Sequence, residues 1–445
     1  MPFSLSLPPQ AETALRRLNA AGFEAYIVGG CVRDAMRGAV PHDWDCTTSA
    51  LPAEIAACFP DYHVIETGIQ HGTVTVVIDG MPVEITTFRI DGVYADHRRP
   101  EQVTFTASLT EDLARRDFTV NAMAYHPQKG LQDPFHGAED LQEGILRCVG
   151  NPDDRFEEDG LRILRAMRFS SMLDFPIDTA TADAIHRKKT LLRHISAERI
   201  FAEMQKLLCG AGCERVLTEY SDVLFLILPE LEPMFRFAQN NPHHDYDVYT
   251  HTLKVIAACP QEPVLRWAAL FHDAGKPHCY TEDARGGHFY GHAKISVPIA
   301  QRALHLLKSD RHTLDTVLKL IKLHDMVWEP NDKLLRRAVS RYGYDFSVML
   351  LQLHRADVSA QAEQHRAERT AEADRILQML DALKQADACM SLKHLAVKGS
   401  DLREIGMPEG KIIGECLHFL LEQVIEGTLP NEKAELLQAA KKKFG

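Results

Sequence analysis

Two aspartates set two residues apart, Asp43 and Asp45 in PHDWDCTTS (41–49), are the plainest chemical signal in the chain. On an extended strand such a pair faces one side. Paired carboxylates suit Mg²⁺, a hard cation that takes oxygen ligands and commonly bridges protein carboxylates and substrate phosphates. A solvated turn is the plain alternative for a lone pair. A few residues upstream lies GGCVRD (29–34). There Gly29 and Gly30 permit close backbone approach, a helix start can turn N–H groups toward phosphate, and Arg33 adds a planar cation. Farther along, EEDGLRILRAMRF (157–169) spaces Asp159, Arg162, Arg165 and Arg168 three apart, one row on a helix. An acid beside an arginine can read a base edge, although an exposed helix laced with salt bridges has the same pattern. Between these segments lies RRDFTVNAMA (115–124), which carries Arg116, Asp117 and Asn121, side chains whose plain reading is local capping and turn bonding. Glu84 is a candidate third carboxylate that ranks below the others, because glutamate on a half-exposed strand is usually solvated.

A second constellation lies downstream: His251 in DVYTHTLKV, His272-Asp273 in ALFHDAGKP, His292 in FYGHAKIS, His324-Asp325 in KLHDMVWEP, and Asp357 in HRADVSA. Imidazoles with carboxylates suit a transition metal, or Mg²⁺ or Mn²⁺, activating water. An isolated His-Asp pair would be no more than a helix salt bridge.

The elements that position these groups change character along the chain. AYIVGG (25–30) reads as a buried strand entering a glycine turn, and TVTVVIDGMPVEITTFRI (73–90) as two alternating strands around Asp79-Gly80, a strong hairpin signal. From about Asp153 the apolar spacing is helical almost throughout. The fold expected is α+β, a mixed α/β head followed by an all-helical remainder. Its parts are a head (1–150), a neck (151–215), a body carrying the histidines (216–360) and a tail (361–445), with the Pro-interrupted stretch around 215–240 as a break.

Composition narrows the function classes. A length of 445 residues exceeds one ordinary domain, and 45% hydrophobic with 25% charged residues is the make-up of a globular chain. The formal charge of −12 argues against coating nucleic acid by global electrostatics, so RNA binding must use local patches such as Arg98-Arg99, Arg115-Arg116 or Lys441–Lys443. No bilayer-length apolar run and no leader-type N-terminus are found, which makes the cytoplasm the expected location and membranes no partner. The ten cysteines lack CxxC spacing and are expected as reduced thiols.

The series GG-x-VRD, DxD, RRDFTVNAMA and EEDGLRILRAMRF, in that order, resembles the DNA polymerase beta-like nucleotidyltransferases, in the bacterial class II branch of CCA-adding enzymes and poly(A) polymerases. The resemblance implies Mg²⁺-dependent addition of CCA to the tRNA 3′ end from CTP and ATP. It assigns metal binding and catalysis to Asp43 and Asp45, and nucleotide binding to Gly30, Arg33, Arg116, Asp159, Arg162, Arg165 and Arg168, with Asp159 and Arg162 as a protein template. The polar segment DGVYADHRRPEQVTF (91–105) looks like the loop with which such enzymes switch from C to A, and residues 398–437 look like the tRNA-binding tail of Firmicutes-type members. An A-adding-only enzyme and a poly(A) polymerase are the nearest alternatives. The histidine series resembles the HD phosphohydrolase superfamily and implies a second divalent metal on His251, His272, Asp273 and Asp357. A hydrolase with a relic head, and a noncatalytic tRNA-binding protein, are the alternatives from other classes.

Overall fold

The computed structural model describes residues 4–41, 43–91, 103–284, 286–385 and 391–444. Two units divide the chain: one runs through Pro229 and includes Leu306–Lys308, the other takes Glu230–His305 and the chain from Ser309.

The first unit opens with α1 (Pro9–Ala20), β1 (Ala25–Val28), α2 (Gly30–Met36), β2 (Asp45–Thr48), α3 (Pro52–Cys58), β3 (His63–Ile65), β4 (Thr73–Ile78) and β5 (Met81–Thr87). It continues through β6 (Arg89–Asp91), β7 (Val103–Phe105), α4 (Leu109–Ala114), β8 (Ala124–His126), β9 (Gly130–Gln132) and α5 (Gly137–Glu143). Seven strands form one sheet in the order β3-β4-β5-β2-β1-β8-β9, while β6 and β7 pair separately. The β4–β5 hairpin turns at Asp79 and Gly80, whose φ of 48° and 82° are the left-handed pair that a two-residue hairpin turn demands. Alternation explains why both sheet faces are covered. On β1, Ala25 and Ile27 join Leu15 and Leu18 of α1 with Val74, Val76 and Ile85 in one core, and Tyr26 and Val28 join Phe88, Leu113 and Ala124 in another. A sheet buried on both sides gives its central strands little freedom, so a carboxylate at a strand end is held in a fixed place.

Six helices follow in the same unit: α6 (Pro152–Glu158), α7 (Leu161–Leu173), α8 (Thr179–Lys188), α9 (Ala197–Leu208), α10 (Cys213–Glu219) and α11 (Ser221–Ile227). Asn151 caps α6 by accepting the Asp153 N–H, with Pro152 in the first turn where its missing N–H costs nothing.

The second unit begins with α12 (Val248–Ala258) and α13 (Pro263–Phe271), capped by Asp247 and Glu262. A short antiparallel hairpin of β10 (Thr281–Asp283) and β11 (Gly286–His288) intervenes before α14 (His292–Leu306). The remainder expected to be all-helical thus contains one hairpin, built where a glycine-rich polar stretch supplies no helical apolar period; Gly286, at φ 110°, could not carry a side chain there without strain. Helices α15 (Arg311–Leu323), α16 (Asp332–Tyr342), α17 (Tyr344–Ser359), α18 (Glu363–Gln385), α19 (Gly399–Glu404), α20 (Lys411–Ile425) and α21 (Lys433–Phe444) complete it. The last three share a small core of their own around Leu402, Cys416, Leu420 and Leu436. Among the described residues no helix is long and apolar enough to cross a membrane, and the described cysteines are all free.

Candidate functional site

Strands β2 and β5 run parallel with Asp45 in register with Glu84. Asp43, two residues before Asp45, is exposed at the mouth of the same edge, and Asp45 is half-buried. Burial together with the negative charge of Glu84 and Asp43 pushes the Asp45 carboxyl up to about 6, against the opposing pull of Arg116. Without a cation this edge is electrostatically unsatisfied, and its donors are all oxygen, which fits a hard divalent ion. Beside Asp45, the thiols of Cys31 at the start of α2 and Cys46 on β2 are buried. Burial raises Cys31 to about 11 and Cys46 higher still.

The edge opens into a cleft of about 800 Å³ that gathers Gly30, Arg33, Asp43, Asp45, Arg116, Asp159, Arg162, Arg165 and Arg168, with Gly29, Asp117 and Asn121. Every residue expected from the four head and neck segments therefore borders one space. Glu84 does not line it and acts on Asp45 through charge.

The arginines are held to different degrees. Gly29, at φ 83°, lies so close to Arg116 that an added Cβ would stand 3.0 Å from its Nη1. Glycine there serves both the left-handed backbone and the packing of that guanidinium. Arg116 is only loosely paired, with Nη2 3.5 Å from Asp112, and its Nε has no hydrogen-bond partner. A half-buried cation so weakly held can accept an anionic ligand. Asp112 itself is buried, accepts from Thr47 and Arg115, and is held below the usual carboxylate range by Arg115 and Arg116 despite its burial. Arg33 donates to Asn121 at 2.5 Å, Asn121 donates to Asp117 at 3.1 Å, and Arg165 donates twice to the other oxygen of Asp117, at 2.8 and 2.5 Å. Burial would raise Asp117, but Arg165 and Asn121 hold it at about 2.

The base-selecting segment differs from the expectation in one respect. Asp159 is not on a helix with Arg162; it sits in extended backbone after α6, and α7 begins at Leu161. Gly160 and the side chain of Asp159, which accepts the Leu161 N–H at 3.0 Å, make the break. The break lets Asp159 approach the cleft independently of the row Arg162, Arg165 and Arg168 on α7. Its second oxygen ion-pairs with Arg199 at 2.8 Å, while Arg162 donates to Glu158 and, at 2.8 Å, to the Arg115 carbonyl. Arg168 lies 2.6 Å from Glu203 and 3.8 Å over the Phe169 ring, which Arg33 and Arg165 also face at 5.2 and 5.4 Å.

His71, Thr73, Arg89 and Phe169 also line the cleft and were not singled out from the sequence, and Arg115 was noted only as part of a basic pair. Arg89 donates to the His71 carbonyl, a contact with no sequence signature. Of the expected switching loop (91–105), residues 92–102 lie outside the described residues.

In the second unit, His251 meets Asp357 at 2.9 Å, and Asp273 lies 3.2 Å from His272, 3.2 Å from His292 and 2.7 Å from Lys276. His251, His272 and Asp357 form one group with metal-ligand spacing, and Asp273, His292 and His324 form another. The expected set of His251, His272, Asp273 and Asp357 is brought together, with His292 and His324 added.

Three family models match the chain. Residues 25–147 match the poly A polymerase head domain, 174–234 the RNA and SrmB-binding site of polymerase A, and 289–440 the tRNA nucleotidyltransferase domain 2. The CCA-adding enzyme of Limosilactobacillus reuteri is 51% identical over 223 residues, a match covering 50% of this chain and about half, 55%, of that enzyme. That of Lacticaseibacillus paracasei is 34% identical over 96% of this chain and 94% of its own length. The chain belongs to the CCA-adding enzyme family. The Enterococcus faecalis member is 33% identical over 97% of this chain and 95% of its own. Among solved structures, the Bacillus stearothermophilus CCA-adding enzyme in complex with CTP aligns with a TM-score of 0.68 at 29% identity, covering 98% of each chain. A Thermotoga maritima CCA-adding enzyme complexed with tRNA, at 18% identity and a TM-score of 0.55, covers 99% of this chain and 97% of its own and shares the fold.

Proposed function

We propose that the chain adds and repairs the CCA end of tRNA without a nucleic-acid template, joining CMP and AMP units from CTP and ATP to the 3′-hydroxyl and releasing pyrophosphate. The observation that carries the reading is the single cleft in which Asp43 and Asp45 face Asp159, Arg162 and the other arginines. In this reading Arg33 and Arg116 take the triphosphate, offsetting charge that grows on the departing pyrophosphate. Asp159 and Arg162, each anchored by neighbours, present fixed acceptor and donor groups to the base edge, so that selection is made by protein side chains. Arg165, held by Asp117, keeps α7 in register with the Asn121–Arg33 pair. Mg²⁺ on Asp43 and Asp45 would supply Lewis-acid activation of the 3′-hydroxyl and charge neutralisation at phosphorus. Catalysis is then mostly positioning and electrostatics.

The test offers tRNA lacking CCA, tRNA ending in C, tRNA ending in CC and an unrelated RNA, with CTP and ATP supplied separately. Addition of C, C and A followed by arrest is expected. Growth of A tracts on any RNA would identify a poly(A) polymerase instead, and addition of A alone an A-adding enzyme. The reading includes the four-part division at residues 150, 215 and 360, a cytoplasmic location, and tRNA contact by the tail.

The imidazole cluster favours a second activity. A divalent metal on His251, His272, Asp273 and Asp357 would activate water toward phosphate monoesters or 2′,3′-cyclic phosphates at RNA ends. Equal cyclic-phosphate hydrolysis by wild type and His272→Ala would remove this activity.

A further inference from the structure

Three of the cleft's arginines gather on one ring. The guanidinium carbons of Arg168, Arg33 and Arg165 lie 3.8, 5.2 and 5.4 Å from the centroid of the Phe169 ring. Arg165 and Arg168 share α7 with that ring, whereas Arg33 belongs to α2, so the ring joins two elements far apart in the sequence. Phe169 is 7% exposed and borders the cleft. Phe118, fully buried and next to Asp117 in the chain, meets it at 76° with centroids 5.7 Å apart and braces its position.

Cations that are to grip a phosphate chain must converge, and before it arrives they repel one another. Burial together with the charge of Arg165 and Arg33 lowers the pKa of Arg168, against the pull of Glu203 and Asp117. Each guanidinium has a carboxylate partner: Asp34 for Arg33, Asp117 for Arg165 and Glu203 for Arg168. A further carboxylate among them would offset more of the repulsion, but it would also oppose an incoming anion. An aromatic ring does only the first. Its π face is negative toward a cation and draws guanidiniums in, yet it carries no net charge to set against phosphate. A guanidinium is planar and weakly hydrated, which suits contact with a ring at the 3.8 Å of Arg168. Leucine would fill the same buried space without that attraction.

We propose that Phe169 is a positioning residue for nucleotide binding, its π face holding Arg33 of α2 beside Arg165 and Arg168 of α7 so that the cleft is poised for a triphosphate. It rests on the reading that these arginines serve the nucleotide, and adds what assembles them.

Full-length protein is made with para-fluoro-, difluoro- and trifluorophenylalanine in place of Phe169, a series that drains the π face stepwise while nearly keeping the size of the ring. Binding of CTP, and of pyrophosphate as a probe without a base, is measured by calorimetric titration with Mg²⁺ present. Kd for both is expected to rise with each fluorine and to reach about tenfold for the trifluoro ring, the scale of a cation–π contact shielded from water. Phe169→Leu, which keeps apolar bulk and loses the π face, is expected to weaken both by at least as much. Equal Kd across the fluorinated series would overturn the proposal, whatever the leucine variant does, and would leave the ring as packing and the nucleotide reading intact. Failure of the unsubstituted protein to bind CTP would overturn that reading and the proposal with it. The fluorinated rings differ little in shape from phenylalanine, so misfolding of the leucine variant does not decide the outcome.

Discussion

The head collects its charge at the open end of a central strand, and the body buries its own where helices begin and end. Asp43 and Asp45 supply only oxygen, one carboxylate is exposed, and the surrounding arginines suit a substrate rich in phosphate. His272 and His324 follow the last residues of α13 and α15, His292 opens α14, and all three are buried with their rings tied to carbonyls. On the proposed reading, burial and donor type separate two uses of an ion. A hard cation at an accessible all-oxygen site can arrive and leave with nucleotide, whereas nitrogen ligands oriented by backbone carbonyls hold a resident one.

The sharpest way to break that contrast is to remove the head's carboxylates. Asp45→Ala and Asp43→Ala are each expected to lower nucleotide incorporation by at least about a thousandfold, the scale of losing a central electrostatic group. Manganese bound by the body is expected to stay unchanged in both, and a parallel loss there would unite the two sites. A smaller effect follows from cutting the scaffold beneath the cleft. Asp117→Ala leaves Arg165 without its partner and is expected to destabilise the protein by about 3 kcal/mol, at the low end for breaking a buried pair because Arg165 keeps some exposure. Urea titration measures it, and a midpoint like that of wild type would deny the pair its supporting role.

The acidity of the strand edge gives a pH test. Asp45, near 6 when folded and about 3.9 when unfolded, favours folding when protonated. That contribution is full below about pH 3.9 and disappears as pH rises through about 6, so the metal-free head is strained at neutral pH. Asp45→Asn is expected to raise the melting temperature at pH 7.5 in chelator by the equivalent of about 2 kcal/mol, and to do little at pH 4. Metal affinity is expected to fall below pH 6, with excess cation restoring incorporation. The smallest change concerns selection. Arg199→Ala releases one oxygen of Asp159 and is expected to alter KM for CTP and ATP only a few-fold, and unequally, with kcat nearly unchanged. An equal shift for both nucleotides would remove Arg199 from base selection.

What the sequence disclosed follows the range of the physical signal. The Asp79-Gly80 turn, the glycine pair at the start of α2 and the Asp43/Asp45 spacing are local, and each leads directly to a backbone conformation or a shared strand end. The order of the four segments added the family to which the chain belongs. The register of Glu84 with Asp45 lies across a parallel pair, which no spacing within one strand encodes. Asp159 was placed on a helix because helical period runs through 157–169, and a single Asp-Gly break does not disturb that count. His292 and His324 stand out in the sequence, but residues 32 apart reveal their 3.0 Å approach only in the folded chain.

Cys46 stands next to Asp45 on a central strand, Cys31 packs against it, and both thiols are sealed from solvent. An alkylating reagent can reach them only when the packing of α2 and β2 in the head's core opens, so the speed of their labelling is a native clock for breathing of the cleft floor. An ion seated on Asp45 would tighten that floor, and slower alkylation with Mg²⁺ and CTP than in chelator would record occupancy without any added probe.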